Sequence, residues 1–120
     1  MSIKNKRADS PDEVRSFENG RAELVNLGGF SMLRMVLKPG WKWSKSVKPI
    51  AKTDSCQMHH IGYVISGRLK VVTDDGKEAE LQPGSFYEIM PGHDAWVVGE
   101  EQYVALEVAQ DTVAKYAKPR

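Results

Sequence analysis

The stretch Cys56-Gln57-Met58-His59-His60-Ile61-Gly62-Tyr63-Val64-Ile65-Ser66-Gly67 places the chain's only cysteine and two of its three histidines within five residues. A β-branched and aromatic run follows at once and ends on glycine, which is the signature of a strand running into a bend. If the strand were regular through Gly67, the odd-numbered apolar phase of Leu69 and Val71 would turn His60 outward. A bulge or bend at Gly67 resets that phase and turns His60 inward.

The surrounding sequence has the same texture. Apolar runs at residues 21–27, 30–37, 63–73, 78–81, 85–89 and 95–108 are separated by Gly28-Gly29, Pro39-Gly40, Gly67, Asp74-Asp75-Gly76, Pro83-Gly84, Pro91-Gly92 and Gly99. Short runs with frequent turns and no helical period predict antiparallel strands in a sandwich or barrel. Asp75-Gly76 reads as a hairpin turn with positive φ at both central positions. Residues 31–37 alternate apolar side chains on both faces, which predicts a central strand. Ser10-Pro11-Asp12-Glu13 carries a capping-box pattern, predicting a short helix that ends at Asn19-Gly20. Asp111 to Tyr116 predicts one more helical turn before a basic end.

At 120 residues, with 41% hydrophobic and 28% charged residues, the chain is expected to form one folded domain. The expected organisation is an N-terminal arm with a short helix over residues 1–20, a β-barrel over 21–110 and a tail over 111–120. A net charge of +1 gives no global attraction to nucleic acid or membrane. The single cysteine forms no internal disulfide, and neither a signal peptide nor an 18-residue apolar run is visible. A cytoplasmic protein is therefore expected.

On these residues the chain resembles a small single-domain cupin, a jelly-roll β-barrel, over roughly residues 30–108. Tyr63 to Gly67 matches the closing half of the first cupin motif, and His60, seven residues before Gly67, stands where the family has its glutamate. Asp54 and Cys56 take the two positions of its paired histidines. Pro83-Gly84 and Ile89-Met90-Pro91-Gly92 match the frame of the second motif, with Ala95 and Gly99 replacing its histidine and asparagine. Gly40-Trp41-Lys42-Trp43-Ser44 and Pro91-Gly92-His93-Asp94-Ala95-Trp96 further resemble a poorly characterised cupin subgroup. The resemblance implies an all-β, antiparallel fold and a pocket for a small molecule.

Cys56, His60 and His93, with Asp54 as an oxygen donor, are the candidate ligands for a divalent Zn, Fe, Mn or Ni ion. The competing reading makes Cys56 a buried apolar residue, His60 a hydrogen-bonded core histidine and His93 a turn residue. A metal-free acid–base site would use His60 or His93 with Tyr63 or Tyr87. His59 is expected on the surface. Trp41 and Trp43 lie among Lys38, Lys42, Lys45, Lys48 and Lys52, a pattern suited to stacking on and attracting an anion such as a carboxylated sugar. It is equally suited to a subunit interface. Asp74, Asp75, Glu78 and Glu80 read as charge guarding a strand edge.

The expected function is binding of a small, anionic molecule in the barrel, with isomerase, decarboxylase or oxygenase chemistry if catalytic. The alternative is a metal-free sensing module. A homodimer is expected, and no nucleic-acid or membrane partner.

Overall fold

The structure is a computed structural model that describes residues 2–109. Nine strands form among the described residues: β1 (Glu13–Phe17), β2 (Gly20–Asn26), β3 (Ser31–Leu37), β4 (His60–Ser66), β5 (Arg68–Thr73), β6 (Glu78–Leu81), β7 (Phe86–Ile89), β8 (His93–Val98) and β9 (Tyr103–Val108). Two short helices, α1 (Trp43–Ser46) and α2 (Lys48–Ala51), follow β3. All strand pairs are antiparallel. They build a six-stranded sheet ordered β1-β2-β3-β9-β4-β7 and a three-stranded sheet ordered β6-β5-β8. The ladders among the described residues thus give two facing sheets, with the inner side chains of both forming the core.

The central placement expected for residues 31–37 holds: β3 lies between β2 and β9. The expected N-terminal helix does not form. Glu13 to Phe17 form β1, Glu18-Asn19 is the turn of the β1–β2 hairpin with Asn19 at φ 60°, and Gly20, expected to stop a helix, opens β2. Asp12, expected in the first helical turn, instead accepts the Asn26 backbone N–H at 2.7 Å and the Lys6 ammonium at 2.9 Å. Pairing of the whole of β1 with Gly20 to Leu24 of β2 and packing of Phe17 beside Trp41 override the local capping preference. The turn expected at Asp111–Tyr116, with the rest of the tail, lies outside the described residues.

At the β5–β6 hairpin only Gly76 has positive φ, at 90°. The Gly76 N–H bonds to the Thr73 carbonyl, and the Thr73 N–H to that of Lys77, so the loop is a turn closed by a glycine bulge and not a two-residue turn.

Phase reset places the inner residues of the opening stretch. The β4–β9 register slips by one between Val64 and Ser66, and Gly67 follows at φ 75°. Even-numbered Gly62 and Val64 face inward in β4, whereas odd-numbered Leu69 and Val71 are the buried residues of β5. No helix among the described residues is long and apolar enough to cross a membrane.

A Cβ at Gly67 would sit 2.5 Å from the Gln102 carbonyl oxygen and 2.6 Å from Tyr103 Cα. Backbone on both counts leaves no side chain to give way, and the positive φ adds strain. Gly67→Ala is expected to destabilise the fold by ~2 kcal/mol or more in urea unfolding, against well under ~1 kcal/mol for Gly29→Ala, whose Cβ meets nothing.

Candidate functional site

Cys56 and His93 come together through backbone pairing. The Cys56 N–H donates to the His93 carbonyl at 2.7 Å, and the Cys56 carbonyl accepts the Gly92 N–H at 2.7 Å. This isolated bridge holds the irregular segment before β4 against the start of β8, with both side chains buried. The first residue of β4, His60, then brings Nε2 to 3.6 Å from Cys56 Sγ. The rings of His60 and His93 meet edge to face at 5.1 Å. Ligand atoms of Cys56, His60 and His93 all lie within 4.8 Å of one another.

Behind His60 stands a carboxylate. His60 Nδ1 is 2.9 Å from Glu107 Oε1, and the Tyr87 hydroxyl donates to Glu107 Oε2 at 2.5 Å. Gly62 makes that contact sterically feasible, because a Cβ there would lie 2.7 Å from the Tyr87 hydroxyl oxygen and 2.4 Å from the Leu106 carbonyl oxygen. On the other histidine, Nδ1 of His93 is 2.8 Å from the Met90 carbonyl. A carbonyl only accepts, so His93 Nδ1 carries a proton, and the carboxylate asks the same of His60 Nδ1. Neutral, both rings therefore turn an Nε2 lone pair toward Cys56.

The electrostatics follow from this chain. Burial pushes the Cys56 thiol up, but hydrogen bonds and charge from His60 and His93 outweigh it and bring the thiol down to about 6. Burial opposes charge on His60 as well, yet the Glu107 carboxylate and the contact with Cys56 raise it to about 10. Glu107 is held below the usual carboxylate range against complete burial, chiefly by His60 and the Tyr87 hydroxyl. Burial and the adjacent carboxylate push the Tyr87 phenol far up, so it stays a proton donor.

The structure brings Cys56, His60, His93 and Tyr87 together and separates the other candidates. Tyr63 is on the outer face, its ring 4.8 Å from that of exposed Phe86, because odd positions of β4 point outward; it is removed from the acid–base site. Asp54 is exposed in a bend and takes no part in the cluster. His59 is not a bare surface residue: its Nε2 is 2.8 Å from Glu88 Oε2. Trp41 and Trp43 are 5% and 6% exposed and belong to the core of the chain. Lys42, between them, points out and lies over the Trp96 ring at 5.1 Å.

Glu107 was not anticipated from the sequence. The available signal was a lone carboxylate in Tyr103-Val104-Ala105-Leu106-Glu107-Val108, in phase with the inward Tyr103 and Ala105. A charge on the core face of a strand calls for a buried partner.

The cluster opens on a cavity of about 380 Å³. Leu33, Met35 and Leu37 line it from the larger sheet and Leu69 and Ala95 from the smaller, with Trp41 and Trp43 also in its wall. None of the five lysines from Lys38 to Lys52 lines it.

The donor set fits a metal ion. A thiolate and two imidazoles suit Zn or Fe, and three protein ligands leave a position open. Edges of a tetrahedral Zn site are about 3.3–3.7 Å from the usual bond lengths, so the Cys56–His60 separation of 3.6 Å already matches one. Each histidine also has its Nδ1 bonded to an acceptor, the arrangement that orients ligating imidazoles.

No family model matches the chain, and no curated protein matches it. Solved structures do. A protein of unknown function from Rhizobium leguminosarum bv. viciae 3841 superposes with a TM-score of 0.64 at 21% identity, covering 90% of this chain and 96% of the other. The ectoine synthase from P. lautus gives 0.62 at 15% identity, covering 88% and 78%. The polyketide cyclase RemF from Streptomyces resistomycificus gives 0.60 at 16%, covering 89% and 78%. The chain has a cupin-type fold. Identities this low carry the fold and no activity.

The shifts set a pH window for the metal-free chain. With the folded thiol at about 6 and its ordinary value 9.0, the stability Cys56 contributes is complete above 9.0 and lost as pH falls through about 6. His60, at about 10 against 6.5, contributes fully below 6.5 and loses its share as pH rises through about 10. Thiolate absorbance at 240 nm is expected to titrate near pH 6 in metal-free protein, and His60→Ala to move that midpoint up toward 9.0. A wild-type midpoint at the ordinary value would refute the thiolate–imidazolium pair.

Proposed function

We propose that this chain binds a divalent metal ion, Zn or Fe, through Cys56 Sγ and the Nε2 atoms of His60 and His93, and presents it to a small molecule in the adjoining cavity. The observation that carries this reading is the convergence of three donor atoms within 4.8 Å, two of them on histidines whose other nitrogen is already bonded. The thiolate favours Zn or Fe over Mn, which prefers oxygen donors. Bound there, the ion supplies a Lewis-acid position beside the cavity.

The residues of the chain have separate tasks in this reading. Glu107 fixes the His60 tautomer, Tyr87 holds Glu107, and the apolar wall excludes water and receives the body of the ligand. The absence of lysine from the wall among the described residues favours, over a polyhydroxylated acid, a compact molecule with an apolar body and one metal-binding group.

A second reading has its own observation. Without metal, Cys56, His60 and Glu107 form a thiol–imidazole–carboxylate series at 3.6 and 2.9 Å, the arrangement of an activated nucleophile. The metal-free sensing module is the remaining alternative.

Elemental analysis of protein purified without a metal-affinity column distinguishes these readings. The metal reading expects about one Zn or Fe per chain, with affinity lost by 100-fold or more in Cys56→Ser and His93→Ala. Wild type that neither carries nor takes up metal in chelator-buffered titration refutes it. Alkylation of Cys56 by iodoacetamide, fast in metal-free protein and blocked by bound metal, then separates the nucleophile from the sensor. A ligand recovered chemically unchanged after incubation marks a sensor.

A further inference from the structure

The cavity holds an unusual balance of charge. Among the described residues its interior presents one carboxylate, Glu107, 6% exposed, and one thiol, Cys56, 4% exposed. Glu107 accepts hydrogen bonds on both oxygens, from His60 Nδ1 and the Tyr87 hydroxyl, so its anionic form is the satisfied one. No lysine among the described residues lines the cavity, and Arg15 at the rim is paired at 2.8 Å with Glu13, which lines the same rim. The rest of the wall is mainly aliphatic and aromatic.

A dication held by the Cys56 thiolate and two neutral imidazoles, with Glu107 directly behind one of them, makes a centre of zero net charge. In a wall this apolar, an added anion would be left uncompensated, and a buried uncompensated charge is strongly disfavoured. A centre with three neutral ligands and no adjacent carboxylate would carry both positive charges and draw anions. Here the two negative charges remove that preference, and the lysines on α1, α2 and their flanks lie outside the cavity and cannot restore it.

We infer that the ligand of this cavity meets the metal through a neutral oxygen donor, a carbonyl or hydroxyl group on an apolar body, and not through a carboxylate; Glu107 is the residue that sets this selection. The inference rests on the metal reading above and names the ligand class for that site. Glu107 acts by charge alone, through space and through His60, and need not touch the ligand.

The test uses full-length protein loaded with Co²⁺, whose visible bands report both occupancy and new ligands. Benzamide and benzoate are near-identical in shape and differ in charge, so they are the probes. At pH 7.5 benzamide is expected to perturb the bands with an apparent Kd about tenfold lower than benzoate. In Glu107→Gln, which removes the negative charge and keeps the shape, the preference is expected to move about tenfold toward benzoate. Benzoate binding as tightly as benzamide in wild type overturns the inference, as does cobalt-loaded protein that responds to neither probe. A Glu107→Gln protein that holds cobalt with the preference unchanged overturns it too; should that variant not hold cobalt, the wild-type comparison alone decides. Failure of wild type to develop thiolate-to-cobalt and visible bands would instead refute the metal reading, a distinct result.

Discussion

Burying the Glu107 carboxylate is the constraint around which the inner face of the larger sheet is arranged. An isolated ionised carboxylate in an apolar interior is too costly to persist, so it must be neutralised, paired or hydrogen-bonded. Here it is paired and hydrogen-bonded, with His60 on one oxygen and Tyr87 on the other. Truncating either partner of such a buried pair typically costs about 3–5 kcal/mol, because the remaining charge is left without compensation. Three strands are committed by this one group: β9 carries Glu107, β4 carries His60 and β7 carries Tyr87. These strands are neighbours in the order β9-β4-β7, and Gly62 on the middle strand, lacking a side chain, lets the outer partner reach across it.

The second requirement is that the site draw on both sheets. His60 belongs to the larger sheet and His93 to the smaller, and Cys56 joins them by bridging to His93 four residues before β4 begins. The bend at Gly67 passes the chain from one sheet to the other with the core phase reset. Packing the two sheets together is therefore what assembles the cluster, and loss of the bend would separate its parts even with every ligand residue present.

A cupin-type fold is shared with proteins of unlike chemistry, an ectoine synthase and a polyketide cyclase among those similar to this chain. The scaffold supplies an apolar interior between sheets, and the chemistry lies in the few polar groups placed inside it. In this chain those groups are a thiol, two imidazoles, a carboxylate and a phenol, connected from Cys56 through His60 and Glu107 to Tyr87. The basic segment from Lys38 to Lys52 is a different surface. Its tryptophans turn in to wall the cavity and its lysines stay outside, so one stretch of sequence serves two environments.

Much of the framework is legible in the sequence because it is set by short-range chemistry. Glycine and proline mark the turns, and the short runs between them mark most of β2 to β9. The frame ending at Gly67 also locates His60, and the parity of β8 locates His93 beside Ala95. What the sequence did not determine depends on contacts between residues far apart in the chain. Ser10-Pro11-Asp12-Glu13 has a local helix preference, but Asp12 and the strand after it are claimed by β2. Glu107 looks like one charge among many until His60, 47 residues away, and Tyr87, 20 residues away, are folded onto it. Tyr63 and Tyr87 are equivalent as residue types, and only strand parity turns one out toward Phe86 and the other in toward Glu107. The sequence by itself determined the β character and most turns of the chain after residue 20, and which residues were able to be ligands. Tertiary structure alone decided which of them meet, because a buried charge is satisfied by whatever the sheet places opposite it, and that placement is a property of the pairing and not of the local chain.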